Sequence, residues 1–111
     1  LLDEHGLLVE RFKSANLPLG IVNSSELDLN PTHFSWQRSS QLCLCSDGLL
    51  EACDSNAKQF DEAGLLAAVS GVTAGGRRDA VQDAVSQHMG EAEAQDDISL
   101  LLLTCPAPGH P

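Results

Sequence analysis

Leu42-Cys43-Leu44-Cys45-Ser46-Asp47-Gly48-Leu49-Leu50-Glu51 joins an apolar run to an acid-glycine pair. Gln41 to Cys45 reads as a buried strand, and after Gly48 the period changes, so that Leu49 to Ala52 can begin a helical turn. An aspartate at the mouth of a core strand is costly unless something holds it. Taken alone, Asp47 is accounted for by a strand-ending turn in which the carboxylate bonds its own backbone. A later stretch reverses the arrangement: Gln95-Asp96-Asp97 leads straight into the apolar run Ile98 to Leu103. Two adjacent acids repel, and a turn or cap needs only one of them.

Outward from these motifs the elements can be placed. Leu1-Leu2 and Leu7 to Phe12 flank Asp3-Glu4-His5-Gly6, a β-hairpin in which Gly6 supplies the positive φ of a tight turn. Asn16 to Ile21 contains Pro18 and Gly20 and reads as a shaped loop. Thr32 to Arg38 alternates, with Phe34 and Trp36 on one face, as a half-buried strand does. Asp54-Ser55-Asn56-Ala57 is turn chemistry. Asp61 can cap a helix over about 62–70, with Leu65, Leu66 and Val69 inward. Gly71 and Gly75-Gly76 break it, and a second helix runs over about 77–89 with Ala80, Val81, Ala84, Val85, His88 and Met89 as its apolar stripe. Gly90 stands where a C-terminal cap is expected. Ile98 to Cys105 reads as a strand buried on both faces, and 106–111 as a tail. Antiparallel hairpins, a helical pair and a return strand make an α+β fold, with helices on one face of a mostly antiparallel sheet.

Composition bounds the function. The 111 residues suffice for one domain or part of one, at 42% hydrophobic and 20% charged. A formal net charge of −10 disfavours nucleic acid and anionic membrane surfaces, both of which require cations on the protein. No signal-peptide pattern and no run long enough to span a bilayer is present, which predicts a cytoplasmic protein. Cys43, Cys45, Cys53 and Cys105 form no CxxC pair and are expected to be reduced, buried thiols rather than metal ligands. The chain opens at Leu1-Leu2 without Met, in residues that already read as strand, so it is expected to begin inside a domain.

If the strands Gln41–Cys45 and Ile98–Cys105 lie antiparallel and adjacent, the end of one meets the start of the other. Asp47 and Asp96-Asp97 then converge at one rim of the sheet. Carboxylates so placed are mutually destabilising unless a cation neutralises them, and hard divalent ions such as Mg²⁺ or Mn²⁺ take oxygen ligands of this kind.

Leu17-Pro18-Leu19-Gly20, Cys45-Ser46-Asp47-Gly48-Leu49-Leu50-Glu51-Ala52, Lys58-Gln59-Phe60 and Asp96-Asp97-Ile98-Ser99-Leu100, in that order and spacing, resemble the C-terminal half of a bacterial metal-dependent Ser/Thr protein phosphatase domain of the PPM family, in its SpoIIE-like branch. The resemblance covers nearly the whole chain. It implies an antiparallel β-sandwich flanked by helices (αββα), of which residues 1–105 would be the C-terminal part. It also implies two Mn²⁺ or Mg²⁺ ions at one edge and a metal-activated water that attacks phosphoserine or phosphothreonine. By position, Asp47 and Asp96 would be metal ligands, and Asp97 would stand with them in a more supporting place. Gly48 would allow the turn, Glu51 would brace it and Ser99 would hydrogen-bond near the site. The implied substrate is a phosphorylated regulatory protein of the anti-sigma-factor-antagonist type, in bacterial stress signalling. The family's first Asp-Gly motif lies in an N-terminal half that this sequence does not contain, so that half is an expected partner and the fragment alone is expected to be inactive. Self-association into a homodimer is compatible with this reading. The family usually has Phe-Gly after the turn, where this chain has Phe60-Asp61.

Two other readings compete with the enzyme: a non-catalytic phosphatase-like output or adaptor domain of a response regulator, and a structural metal-binding fragment. Clustered acids favour the enzyme, since a fold kept only for binding gains nothing from their repulsion. Elsewhere the chemistry is sparse. His5 falls in a turn and His110 in the tail, and His88 reads as a hydrogen-bonded histidine at the core edge. Gly75-Gly76-Arg77-Arg78 lacks a phosphate-loop pattern and reads as a helix start with a solvated arginine pair.

Overall fold

β1 (Gln41–Cys45) pairs antiparallel with β2 (Leu100–Thr104), in the register Gln41↔Thr104, Cys43↔Leu102 and Cys45↔Leu100. Period-2 geometry therefore divides the two strands into faces. Cys43, Cys45 and Leu100 pack against a core of Leu2, Leu49, Ala52, Phe60, Leu65, Val69, Val81 and Val85. Leu44, Leu101 and Leu103 stand on the opposite face and are 46%, 56% and 45% exposed. The coordinates, a computed structural model, describe residues 1–12, 31, 33–35, 37–94 and 96–105.

Between the strands run α1 (Asp47–Leu50), α2 (Asp61–Val69), a 3₁₀ turn at Ala74–Gly76 and α3 (Arg77–Met89). The architecture is α+β with an antiparallel sheet, as expected. The described residues supply one sheet layer of two strands. β1 and α3 fall where the sequence places them. α2 begins at Asp61 rather than after it. Gly6 and Gly90 both have positive φ, at 77° and 58°.

Four expectations need correction or qualification. β2 is shorter than Ile98–Cys105, and among the described residues it is covered on one face only. The described members of the Thr32–Arg38 stretch are not in a strand, although Phe34 packs on Phe12 with ring centroids 4.8 Å apart; Thr32, Trp36 and the Asn16–Ile21 loop lie outside the described residues. Cys43, Cys45 and Cys53 are half-buried rather than buried. Burial raises the Cys43 and Cys45 thiols above their ordinary range, which keeps both protonated.

The fourth concerns the arginine pair. Arg78 is solvated, but Arg77 is completely buried. Its Nε donates to Val72 O at 2.9 Å and its Nη1 to Gln41 Oε1 at 3.1 Å. Its Nη2 donates to Asp3 O at 2.9 Å and to Glu4 O at 3.2 Å. One guanidinium thus ties the N-terminal turn, the start of β1 and the loop before α3 together. That turn is itself held by Asp3, whose Oδ1 accepts from His5 N–H and Leu7 N–H at 2.8 and 2.9 Å. The Leu7 amide foremost holds the Asp3 carboxyl below the usual carboxylate range.

Asp61 explains the departure from Phe-Gly. Its φ is 62°, in the left-handed region that glycine enters without strain, and its Oδ1 accepts from Glu62 N–H at 2.8 Å. Aspartate tolerates this conformation through that local bond but still carries a Cβ, and it is not the cap the sequence predicts: Phe60 holds the N-cap position and no side chain makes a cap hydrogen bond. Asp61→Gly is therefore expected to cost nothing in fold and to raise stability by about 0.5–1 kcal/mol. Urea denaturation followed by circular dichroism checks this, and a variant less stable than the parent would show that the carboxylate bond outweighs the strain.

Candidate functional site

The β1–β2 ladder does not stop at Cys45. Ser46 N–H donates to Ser99 O at 3.0 Å, so the two segments remain paired as they leave the sheet. Asp47 opens α1 on one segment, while Asp96-Asp97 precedes the paired Ser99 on the other. The antiparallel adjacency that convergence requires is present, and it brings the two acid motifs to one rim.

The approach is close. A Cβ on Gly48 would lie 2.1 Å from Asp97 O and 3.4 Å from Asp96 Cβ. Glycine is needed here for contact rather than for a left-handed φ. Ser46 Oγ accepts from Ser99 N–H at 2.9 Å and lies 3.2 Å from Asp97 O, to which it donates. Asp97 N–H donates to Asp96 Oδ1 at 2.8 Å, which turns that carboxylate back over its own peptide.

The supporting residues act mostly through their main chains. Glu51 N–H closes α1 on Asp47 O at 2.8 Å, and the Glu51 side chain is exposed. Ser99 contributes its amide and carbonyl. Ser46 is a site residue that the sequence reading did not single out. The available signal was a serine at the N-cap position of a helix whose first residue is the acid.

Beside Asp47 lies a groove of about 450 Å³ between the N-terminal segment, β1 and α2, lined by Leu8, Phe12, Leu44 and Leu65 with Asp47 and Glu62 among its polar residues. Glu62 pairs with Arg11 Nε at 2.7 Å. Burial first, then the Asp47 and Glu62 carboxylates, raise the Cys45 thiol.

Asp47, Asp96 and Asp97 are exposed, and among the described residues none of them pairs with a Lys or Arg. Carboxylate oxygens without a protein cation suit a hard divalent ion. The described residues bring together no group of three or more His, Cys, Asp or Glu able to hold a metal.

His88 behaves as a core-edge residue, with Nε2 2.8 Å from Lys58 O and its ring edge-on to Phe60 at 5.6 Å. No described helix is long and apolar enough to cross a membrane.

The family model for stage II sporulation protein E (SpoIIE) matches residues 1–106. No curated protein and no solved structure matches the chain significantly. The match spans both acid motifs, the helices between them and the strands that bring them together, so the chain belongs to the SpoIIE family, a family of PPM-type phosphatases.

Proposed function

We propose that this chain is the C-terminal part of a metal-dependent serine/threonine protein phosphatase domain, with Asp47, Asp96 and Asp97 as its share of a metal site. The observation that carries the reading is the seating of Gly48 on Asp97, which joins the two acid motifs of a phosphatase family at one rim. PPM-type phosphatases generally depend on Mn²⁺ or Mg²⁺, and a bound ion of this kind lowers the pKa of water and so supplies a nucleophile for a phosphoester. Asp47 and Asp96 would hold the ion, with Asp97 beside them. Gly48 keeps the two turns in contact, and the α1 backbone holds Asp47 in place.

The exposed face formed by Leu44, Leu101 and Leu103 is the surface on which the N-terminal half of the same domain would complete a β-sandwich. That half would bring the remaining acid ligands. The substrate that fits this reading is a phosphorylated regulatory protein of the anti-sigma-factor-antagonist type, met in the cytoplasm.

Asp96→Asn in the intact domain is expected to lower Mn²⁺-dependent hydrolysis of a phosphoserine peptide by about 100-fold or more while leaving the circular dichroism spectrum unchanged. Unchanged turnover would remove the catalytic assignment and leave a phosphatase-like output or adaptor domain in its place.

A further inference from the structure

β1 uses its two edges differently. Ser46 N–H donates to Ser99 O, and Cys105 N–H donates to Ser40 O. Alternation along an antiparallel pair therefore turns the main-chain groups of Leu42 and Leu44 to β2 as well, in the pairs Leu42↔Leu103 and Leu44↔Leu101. Gln41, Cys43 and Cys45 turn theirs to the opposite edge. Gln41 is satisfied there: its N–H donates to Leu2 O at 2.9 Å, and Leu2 N–H donates to Gln41 O at 2.8 Å. Cys43 and Cys45 have no such neighbour, and among the described residues no hydrogen bond meets their N–H or C=O groups on that edge. The edge borders the groove of about 450 Å³, whose lining includes Leu1, Leu2, Cys43 and Cys45.

An open edge beside apolar side chains is a template for one more strand. The existing bridge fixes where that strand runs. Leu2 pairs antiparallel with Gln41, so a strand continuing the line of Leu2 and Leu1 comes next to Cys43 and then to Cys45. A strand arriving separately would meet Leu1 end-on and could pair with those two residues only. A strand that runs into Leu1 lengthens a pairing already made. A second copy is disfavoured further by repulsion between chains of net charge −10.

We infer that the Cys43–Cys45 edge of β1 is the docking surface for the N-terminal half of the domain, which adds a strand antiparallel to β1 and in line with Leu1-Leu2. This rests on the reading of the chain as the C-terminal part of a domain. It does not depend on a metal. The main-chain groups of Cys43 and Cys45 bind the strand, and the apolar groove receives the side chains of one of its faces. β1 then becomes an inner strand, with β2 on one side and the docked strand on the other.

Amide hydrogen exchange followed by NMR, with no metal present, tests this in the 111-residue chain and in the intact domain. In the 111-residue chain, Cys43 and Cys45 are expected to exchange at least about tenfold faster than Leu42 and Leu44, whose amides face β2. In the intact domain all four should be slow, with the cross-strand contacts of Cys43 reaching the residue that precedes Leu1. Cys43 and Cys45 as slow as Leu44 in the 111-residue chain would show the edge already closed and overturn the proposal. Slowing that grows with chain concentration would put a second copy on the edge and overturn it too. Fast exchange at both cysteines in the intact domain would overturn docking at this edge while leaving the phosphatase reading to the Asp96→Asn assay, which decides it separately.

Discussion

Arg77→Ala is expected to destabilise the chain by about 3–5 kcal/mol, a large share of the 5–15 kcal/mol that holds a typical domain together. The size follows from what the side chain satisfies. Four hydrogen bonds leave one guanidinium, and their acceptors are the carbonyls of Val72, Asp3 and Glu4 and the amide oxygen of Gln41. Truncation opens a cavity and strands those acceptors in a place where burial makes each one costly. Gln41 is itself buried, and its Nε2 donates to Thr104 Oγ1 at 2.9 Å, so the loss reaches the first pair of the β1–β2 ladder.

Arg77→Lys should recover only part of the stability, because the three donors of an ammonium radiate from one nitrogen and cannot span the four acceptors that the planar guanidinium reaches. Arg78→Ala, on the neighbouring exposed residue, should change stability by less than about 0.5 kcal/mol. Urea denaturation of the three variants, followed by circular dichroism, separates these outcomes. An Arg77→Ala variant within about 1 kcal/mol of the parent would mean that water replaces the guanidinium without loss.

The contrast between Arg77 and Arg78 shows where the sequence was legible and where it was not. The α3 stripe was readable from period alone, and Val81 and Val85 are indeed buried. Counting back by four from Val81 reaches Arg77, so the signal for its burial was present in the spacing. It was outweighed by charge, since an arginine is rarely buried without a carboxylate partner. What reverses that preference is a set of carbonyls contributed from distant segments, and residue types do not announce their carbonyls. β1 and the Gly6 turn were legible because short-range chemistry decides them. β2 was misjudged because four consecutive leucines look the same whether one face or two are covered. The acid motifs could be read as a pair only through the assumption that their strands are neighbours, and the register bears that assumption out. The cross-bonding of Ser46 could not be read at all, because a serine before a helix predicts a local cap.

Gly48→Ala tests the contact on which the candidate site depends. The added methyl would meet Asp97 O at 2.1 Å and Asp97 C at 3.0 Å. Both are backbone atoms, so no side chain can swing aside, and the two turns must separate. The expected cost is about 2–3 kcal/mol, at the upper end of what overpacking a tight site produces. Backbone conformation does not contribute, since φ at Gly48 is not in the left-handed region. Gly75→Ala provides the comparison: nothing lies within 4 Å of its added Cβ, so it should be neutral or slightly stabilising. In Gly48→Ala, amide shifts are expected to concentrate at residues 46–49 and 96–99, with α3 unmoved, and Mn²⁺ binding should weaken along with stability. A Gly48→Ala chain as stable as the Gly75→Ala chain would show that the acid motifs lie further apart than one methyl group, and the shared rim would no longer support a joint site.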